Sequence, residues 1–274
     1  MNPSILIFTD LDGSLLDHDG YSHAGAAPAL GTLRAQAVPL VFVTSKTRTE
    51  IERLQKELDI REPFVAENGG GIFFPAGYRG FRIPGAIERG PHALILLGKP
   101  YAEIRRFVEN RKTRFAIRGA GDLSLEELGA LTGLSPEQAR LAKQREFSEP
   151  FLLADDDQLT ALREEAVAEG LMITRGGRFH HLIGAGQDKG TAVRRVMEIF
   201  RANSTGELLT VGIGDRPNDF PMLTVVDIPV LMPHPDGRYE DLVLPNLLKA
   251  PQPGSHGWND AVQRILEGRK AEDA

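Results

Sequence analysis

The chain has 274 residues, 41% of them hydrophobic, a formal net charge of -6 and no cysteine. That length accommodates one large domain or two small ones. The acidic balance argues against a nucleic-acid or anionic-membrane partner, and the missing thiols exclude disulfides, thiolate metal sites and cysteine nucleophiles.

No apolar run is long enough to span a bilayer. Met1-Asn2-Pro3-Ser4 lacks the basic start of a secretory signal, so a cytoplasmic location is expected. Residues 5–8 read as a buried strand, 24–36 as a helix, 40–43 as a second buried strand, 49–58 as a helix and 64–66 as a short third strand. This alternation predicts a doubly wound, mostly parallel sheet with helices on both faces. The middle of the chain reads differently. A strand at 93–97 and a helix at 100–112 precede a strand at 115–118, a helix opened by Ser135-Pro136-Glu137-Gln138, a strand at 152–154 and a helix at 159–169. Residues 171–174 and 179–183 flank Arg175-Gly176-Gly177-Arg178, a hairpin turn that makes those strands antiparallel. The first pattern then returns, with a helix at 189–200, strands at 208–213 and 226–230, and a helix at 259–266. The expected architecture is α/β, a core domain of residues 1–83 and 187–274 interrupted by an α+β cap domain of residues 84–186. Ile83-Pro84-Gly85 and Gly184-Ala185-Gly186 are the expected hinges.

The first strand runs into Asp10-Leu11-Asp12-Gly13. In open parallel sheets the ligand crevice lies beyond the carboxyl ends of the strands. Residues two apart on a strand share a face, so Asp10 and Asp12 address one point, and Gly13 lets the chain turn there. Two acids in one place repel unless something positive joins them. The second strand ends at Thr44-Ser45-Lys46, Lys189 opens a helix after the insertion, and the strand at 208–213 runs into Gly214-Asp215-Arg216-Pro217-Asn218-Asp219. Carboxylates without histidine or cysteine suit Mg²⁺. A hydroxyl and a lysine beside that metal suit a phosphoryl group. The expected chemistry is phosphoryl transfer. Asp10 attacks phosphorus, Asp12 protonates the leaving alkoxide and then deprotonates water, Thr44 and Lys189 hold the transferring oxygens, and Asp215, helped by Asp219, anchors the metal.

Other stretches are less specific. Glu67-Asn68-Gly69-Gly70-Gly71 follows the third strand on the crevice side and reads as a turn that can also contact ligand. Alternation along 179–183 puts Phe179, His181 and Ile183 on the packed side, so that Arg178 and His180 face the core and a substrate. Asp155-Asp156-Asp157 reads as a helix cap and Trp258 as core packing. Arg145, Glu146, Ser148 and Glu149 read as a charged surface.

Asp10-Leu11-Asp12-Gly13-Ser14, Thr44, Lys189 and Gly214-Asp215-Arg216-Pro217-Asn218-Asp219 resemble, in order and spacing, the motifs of the haloacid dehalogenase superfamily. The resemblance implies a large cap between the second and third motifs, and a Mg²⁺ site to which Asp12 gives its backbone carbonyl. A finer resemblance rests on VFVTSKTR (41–48), AENGGGIF (66–73), REFSEPF (145–151), GGRFHHLIG (176–184) and DKGTAV (188–193). It is to mannosyl-3-phosphoglycerate phosphatases, in which Ser45-Lys46 replaces the glycine and arginine usual after the threonine. It implies a small phosphorylated glycoside as partner and mannosylglycerate, a compatible solute, as product. Ser45, Lys46, Glu67, Asn68, Gly69, Arg178 and His180 are the candidate substrate contacts, and Lys46 or Arg178 would meet the glycerate carboxylate. The glucosyl counterpart, another sugar phosphate or a hexose phosphomutase reaction are the alternatives. A receiver-type signalling module shares the Asp, Thr/Ser, Lys order but lacks Asp12 and the insertion. Oligomeric state leaves no mark in the sequence.

Overall fold

The computed structural model describes residues 4–175 and 179–272. In chain order the first part comprises β1 (Ser4–Thr9), α1 (Ala27–Ala35), β2 (Leu40–Val43), α2 (Arg48–Leu58), β3 (Phe64–Ala66), β4 (Gly71–Pro75), β5 (Ile87–Arg89) and β6 (His92–Leu96). The middle holds α3 (Tyr101–Arg111), β7 (Ile117–Gly119), α4 (Leu125–Thr132), α5 (Pro136–Ala142), β8 (Ser148–Leu153), α6 (Leu159–Ala168), β9 (Leu171–Arg175) and β10 (His180–Gly184). The chain closes with α7 (Lys189–Asn203), β11 (Leu208–Gly214), α8 (Phe220–Leu223), β12 (Ile228–Leu231), β13 (Leu248–Lys249) and α9 (Gly254–Glu272).

Among the described residues, nine strands form one sheet in the order β13-β12-β11-β1-β2-β3-β4-β6-β5. β1 lies in its interior, parallel to β11 and β2. Its residues alternate between two apolar layers, as a strand covered on both faces requires. Ile5 and Ile7 pack with Leu33 of α1, Ile51 of α2 and Val262 of α9. Leu6 and Phe8 pack on the other side with Val193, Met197 and Phe200 of α7.

The strand expected at 93–97 is β6, and it does not belong to the inserted unit. It pairs antiparallel with β4, which itself returns antiparallel beside β3, and β5 completes that edge. The reason is burial. Leu94 enters one apolar layer of the large sheet and Ile95 the other. The chain therefore leaves the large sheet after Leu96, not at residue 84.

The second sheet runs β7-β8-β10-β9 and is antiparallel. One face packs under α3 and α6 through Phe107, Phe151, Leu162 and Leu182. The α4–α5 pair, of which α4 is absent from the sequence expectations, forms a separate apolar cluster with Phe179 beside β10. Ser124 and Ser135 start these helices with reciprocal capping boxes to Glu127 and Gln138. α5 rests on α2, where Thr47 Oγ1 donates to the Leu141 carbonyl (3.0 Å) and Arg53 pairs with Glu137 (3.0 Å). This places the cap above the carboxyl ends of β1 and β2.

Candidate active site

A cavity of about 470 Å³ lies between the core and the cap. Asp10, Asp12, Ser45, Lys46 and Asp215 line it from the core; Leu128, Arg145 and His181 line it from the cap.

The parallel ladder carries Asp10 into place. Its amide donates to the Ile213 carbonyl (2.8 Å), extending the β1–β11 register by one residue. Thr9 Oγ1 donates to the Asp10 carbonyl (2.7 Å) and accepts from Trp258 Nε1 (2.9 Å), so Trp258 is core packing that also braces the strand end. Gly13 turns the chain with φ +80°.

Lys189 is fully buried at the start of α7, where a cation opposes the helix dipole. Two carboxylates compensate. Its Nζ lies 2.6 Å from Asp10 Oδ1 and 2.5 Å from Asp219 Oδ1. Burial would lower the Lys189 pKa, but Asp10 and Asp219 outweigh it and raise it. Burial is also the main force on the acids. It pushes Asp10 up to about 7, against the pull of Lys189 and with the help of Asp219 and Asp12. It raises Asp215 well above the carboxylate range, reinforced by Asp219 and Asp10.

Asp10, Asp215 and Asp219 present oxygens within 4.8 Å of one another. Asp215 Oδ1 is buried and has no hydrogen-bond partner. Three carboxylates around an unpartnered oxygen fit a hard divalent cation. Asp219 is already engaged at both oxygens, Oδ1 by Lys189 and Oδ2 by the amides of Asp215 and Arg216 (3.0 Å each). Its contribution is to hold the Asp215 loop against Lys189. The Asp12 carboxylate stands outside this cluster and pairs with Lys46 Nζ at 2.8 Å.

Thr44 is buried, and its Oγ1 accepts from the Lys46 amide (3.2 Å), leaving its hydrogen to donate elsewhere. The Ser45 carbonyl accepts from Arg145 Nη1 (2.7 Å).

Glu67, Asn68 and Gly69 do not line the cavity. They have φ of +53°, +57° and +95°, and they join core to cap. The buried Glu67 carboxylate accepts from the amides of Glu146 (2.8 Å) and Phe147 (3.1 Å) and from Ser148 Oγ (2.6 Å). Asn68 Oδ1 accepts from Asn218 Nδ2 (3.1 Å), and Gly69 lies against the Asp188 backbone, where a side chain has no room. Arg178 lies outside the described residues.

His180 does not face the cavity, contrary to the sequence expectation. Its ring lies on Phe151 (5.4 Å), with Nε2 3.4 Å from Asp156 Oδ1. Leu182 shares that face and is buried under α3 and α6, which turns His181 toward the cavity instead. Sequence reasoning also missed Arg145. The signal available for His181 was the parity of Leu182; nothing in the run 145–149 marks Arg145 as buried.

The chemistry sits on the core and the cap closes over it, a division of labour that defines a haloacid dehalogenase-type phosphatase. Residues 7–78 match the family of haloacid dehalogenase-like hydrolases, and the chain belongs to that family. It is 51% identical over 262 residues to the glucosyl-3-phosphoglycerate/mannosyl-3-phosphoglycerate phosphatase of Persephonella marina, covering 96% of this chain and 97% of that one. It is 32% identical over 227 residues to the mannosyl-3-phosphoglycerate phosphatase of Pyrococcus furiosus, covering 83% and 90%. Among solved structures, a Thermoplasma acidophilum protein superposes with a TM-score of 0.70 at 19% identity, over 96% of this chain and 99% of that one. This last likeness is one of fold.

Proposed function

We propose that the protein is a Mg²⁺-dependent phosphatase that releases phosphate from mannosyl-3-phosphoglycerate and from its glucosyl counterpart. The observation that carries this reading is the 51% identity, across 96% of the chain, with an enzyme named for both compounds. A cytoplasmic location fits a small soluble substrate.

Lys189 grips Asp10 through Oδ1, which leaves Oδ2 for phosphorus. As the Asp10–phosphorus bond forms, the bond from phosphorus to the glycerate oxygen breaks. Asp12 gives that oxygen its proton. Asp12 then takes a proton from water, which attacks the aspartyl phosphate and frees phosphate and Asp10. The Thr44 hydroxyl and Lys189 hold the phosphoryl oxygens through both steps. Asp10 and Asp215, with the backbone carbonyl of Asp12, would hold Mg²⁺, which would supply positive charge near those oxygens. The cap excludes bulk water.

The test is phosphate release, with Mg²⁺, from mannosyl-3-phosphoglycerate, glucosyl-3-phosphoglycerate, mannose 6-phosphate and 3-phosphoglycerate. Preference for the two glycosylated phosphoglycerates is expected. Equal turnover of mannose 6-phosphate would discard that substrate and leave the phosphatase chemistry standing.

A further inference from the structure

Most cations around the cavity are matched by acids. Lys46 pairs with Asp12, and Lys189 bridges Asp10 and Asp219. Arg216 Nε lies 3.1 Å from Asp215 Oδ2.

Arg145 is different. It sits in the cap between α5 and β8, with only 9% of its side chain exposed. Nε donates to the Ala142 carbonyl (3.0 Å), and Nη1 to the Ser45 carbonyl (2.7 Å) and Ser148 Oγ (3.3 Å). None of these acceptors is charged. The nearest carboxylate oxygen, Glu67 Oε2, is 3.9 Å away and already accepts from Phe147 N and Ser148 Oγ. Nη2 has no hydrogen bond among the described residues.

His181 lines the same cavity. It is 7% exposed, and its Nδ1 is buried without a partner. Burial, then the charges of Arg145 and Lys189, push its pKa down to about 3, so the ring is neutral near pH 7. A buried polar atom without a partner carries a desolvation cost that a ligand can remove.

We propose that Arg145 and His181 form a subsite for the carboxylate of the substrate, with Arg145 Nη2 meeting its charge and His181 Nδ1 its second oxygen or the adjacent hydroxyl-derived oxygen. The proposal deepens the glycosyl-phosphoglycerate reading and rests on it. A glyceryl carboxylate is two carbon–carbon bonds from the carbon that carries the phosphate. The anchor of Arg145 on Ser45, the neighbour of Thr44, puts the guanidinium at the phosphate end of the cavity. A sugar hydroxyl adds no charge beside that guanidinium, whose one neighbouring carboxylate, Glu67, stands 3.9 Å away and already accepts from three other donors, whereas a substrate carboxylate meets it directly. The acids of the core repel a carboxylate, so the subsite sits on the cap side.

The experiment compares kcat/KM within two substrate pairs that differ in one carboxylate. The first is mannosyl-3-phosphoglycerate against the analogue whose carboxylate is replaced by hydroxymethyl. The second is 3-phosphoglycerate against glycerol 3-phosphate. Wild-type enzyme should prefer the carboxylate of each pair by about 10²-fold, chiefly through KM. Arg145→Gln should collapse that ratio to within a few-fold, and Arg145→Lys, which keeps the charge and folds more safely, should give an intermediate ratio. A wild-type ratio near one, or variants that slow both members of a pair equally, would overturn the subsite. A collapse in the second pair together with inert glycosylated compounds would uphold the subsite and sink the glycoside reading.

Discussion

The Asp215 carboxylate lies directly against Gly13: a β-carbon on residue 13 would stand 2.6 Å from Asp215 Oδ2 and 3.1 Å from its carboxyl carbon. The glycine after Asp12 thus does two things. It takes the positive φ of the turn, and it leaves the space in which a carboxylate of the acidic cluster rests. Gly13→Ala strains the turn and displaces Asp215 together. Displacing a metal-holding carboxylate weakens the metal by about 10–100-fold. The measurement is the rise in melting temperature on titrating Mg²⁺, which reports binding without turnover. Wild type should gain stability with Mg²⁺, and the variant should need about 10–100-fold more for the same gain. An unchanged titration would mean that Asp215 does not hold the metal.

Asp12 meets Lys46 at 2.8 Å and stands apart from the carboxylate cluster, a placement suited to proton transfer at the leaving group. Asp12→Asn keeps the shape and removes the proton. With a glycoside substrate, whose leaving alkoxide needs protonation, kcat should fall by about 10²–10⁴-fold. With p-nitrophenyl phosphate the leaving group needs no proton, but the aspartyl phosphate still needs a base. The variant should therefore give a burst of p-nitrophenolate followed by slow turnover. Turnover at the wild-type rate with either substrate would remove Asp12 from the chemistry.

The parts of the fold that were legible in the sequence are those whose burial is uniform. β1, β2 and β3 are covered on both faces, so β2, β3 and the stretch Ile5–Phe8 of β1 are unbroken apolar runs with their ends plain. Asp10, Thr44 and Asp215 could be brought together on paper because each follows a central strand. Partnership is less legible than presence. β6 satisfies a strand's composition equally well in either sheet, and only the packing of Leu94 and Ile95 assigns it to the large one. The parity of β10 was misread because Phe179 and Leu182 are both apolar and lie on opposite faces. α4 was missed although Ser124 and Glu127 spelled its capping box; unlike α5 it has no proline in its first turn to mark its start. Arg145 reads as surface because its burial depends on the Ser45 carbonyl, a hundred positions earlier in the chain.

Glu67 connects the core to the cap at one buried carboxylate. Its amide donates to the Lys46 carbonyl (3.0 Å) and its carbonyl accepts from Gln187 Nε2 (2.7 Å), so the loop after β2, the start of β8 and the return from the cap to the core meet here. Burial raises the Glu67 pKa, and Arg145 with three donors from residues 146–148 opposes it. Glu67→Gln turns one acceptor into a donor facing donors. The cost expected is about 1–3 kcal/mol. Hydrogen exchange checks where it falls. Protection should drop at Phe147, whose amide the carboxylate holds, while the β1 amides keep theirs. Uniform loss of protection would show that Glu67 serves global stability rather than the joint.

His181 should write its burial into the acid limb of the stability curve. Burial first, then Arg145, Lys189 and His180, hold its pKa at about 3 in the folded chain. An unfolded chain takes up the same proton near pH 6.5. Between these values the unfolded state binds more protons, so stability falls as the pH falls. Above about pH 6.5 the group adds no slope; below it, each pH unit costs about 1.4 kcal/mol until the folded ring titrates. His181→Gln removes that proton from both states, while the carboxylates elsewhere titrate alike in the two proteins. The stability of wild type minus that of His181→Gln, from urea unfolding at pH 7.5, 6 and 5, should therefore be greatest at pH 7.5 and shrink with each step. A difference that stays constant across the three would mean that His181 takes its proton in the folded enzyme as readily as in water, and that its ring is not held neutral against the charge of Arg145.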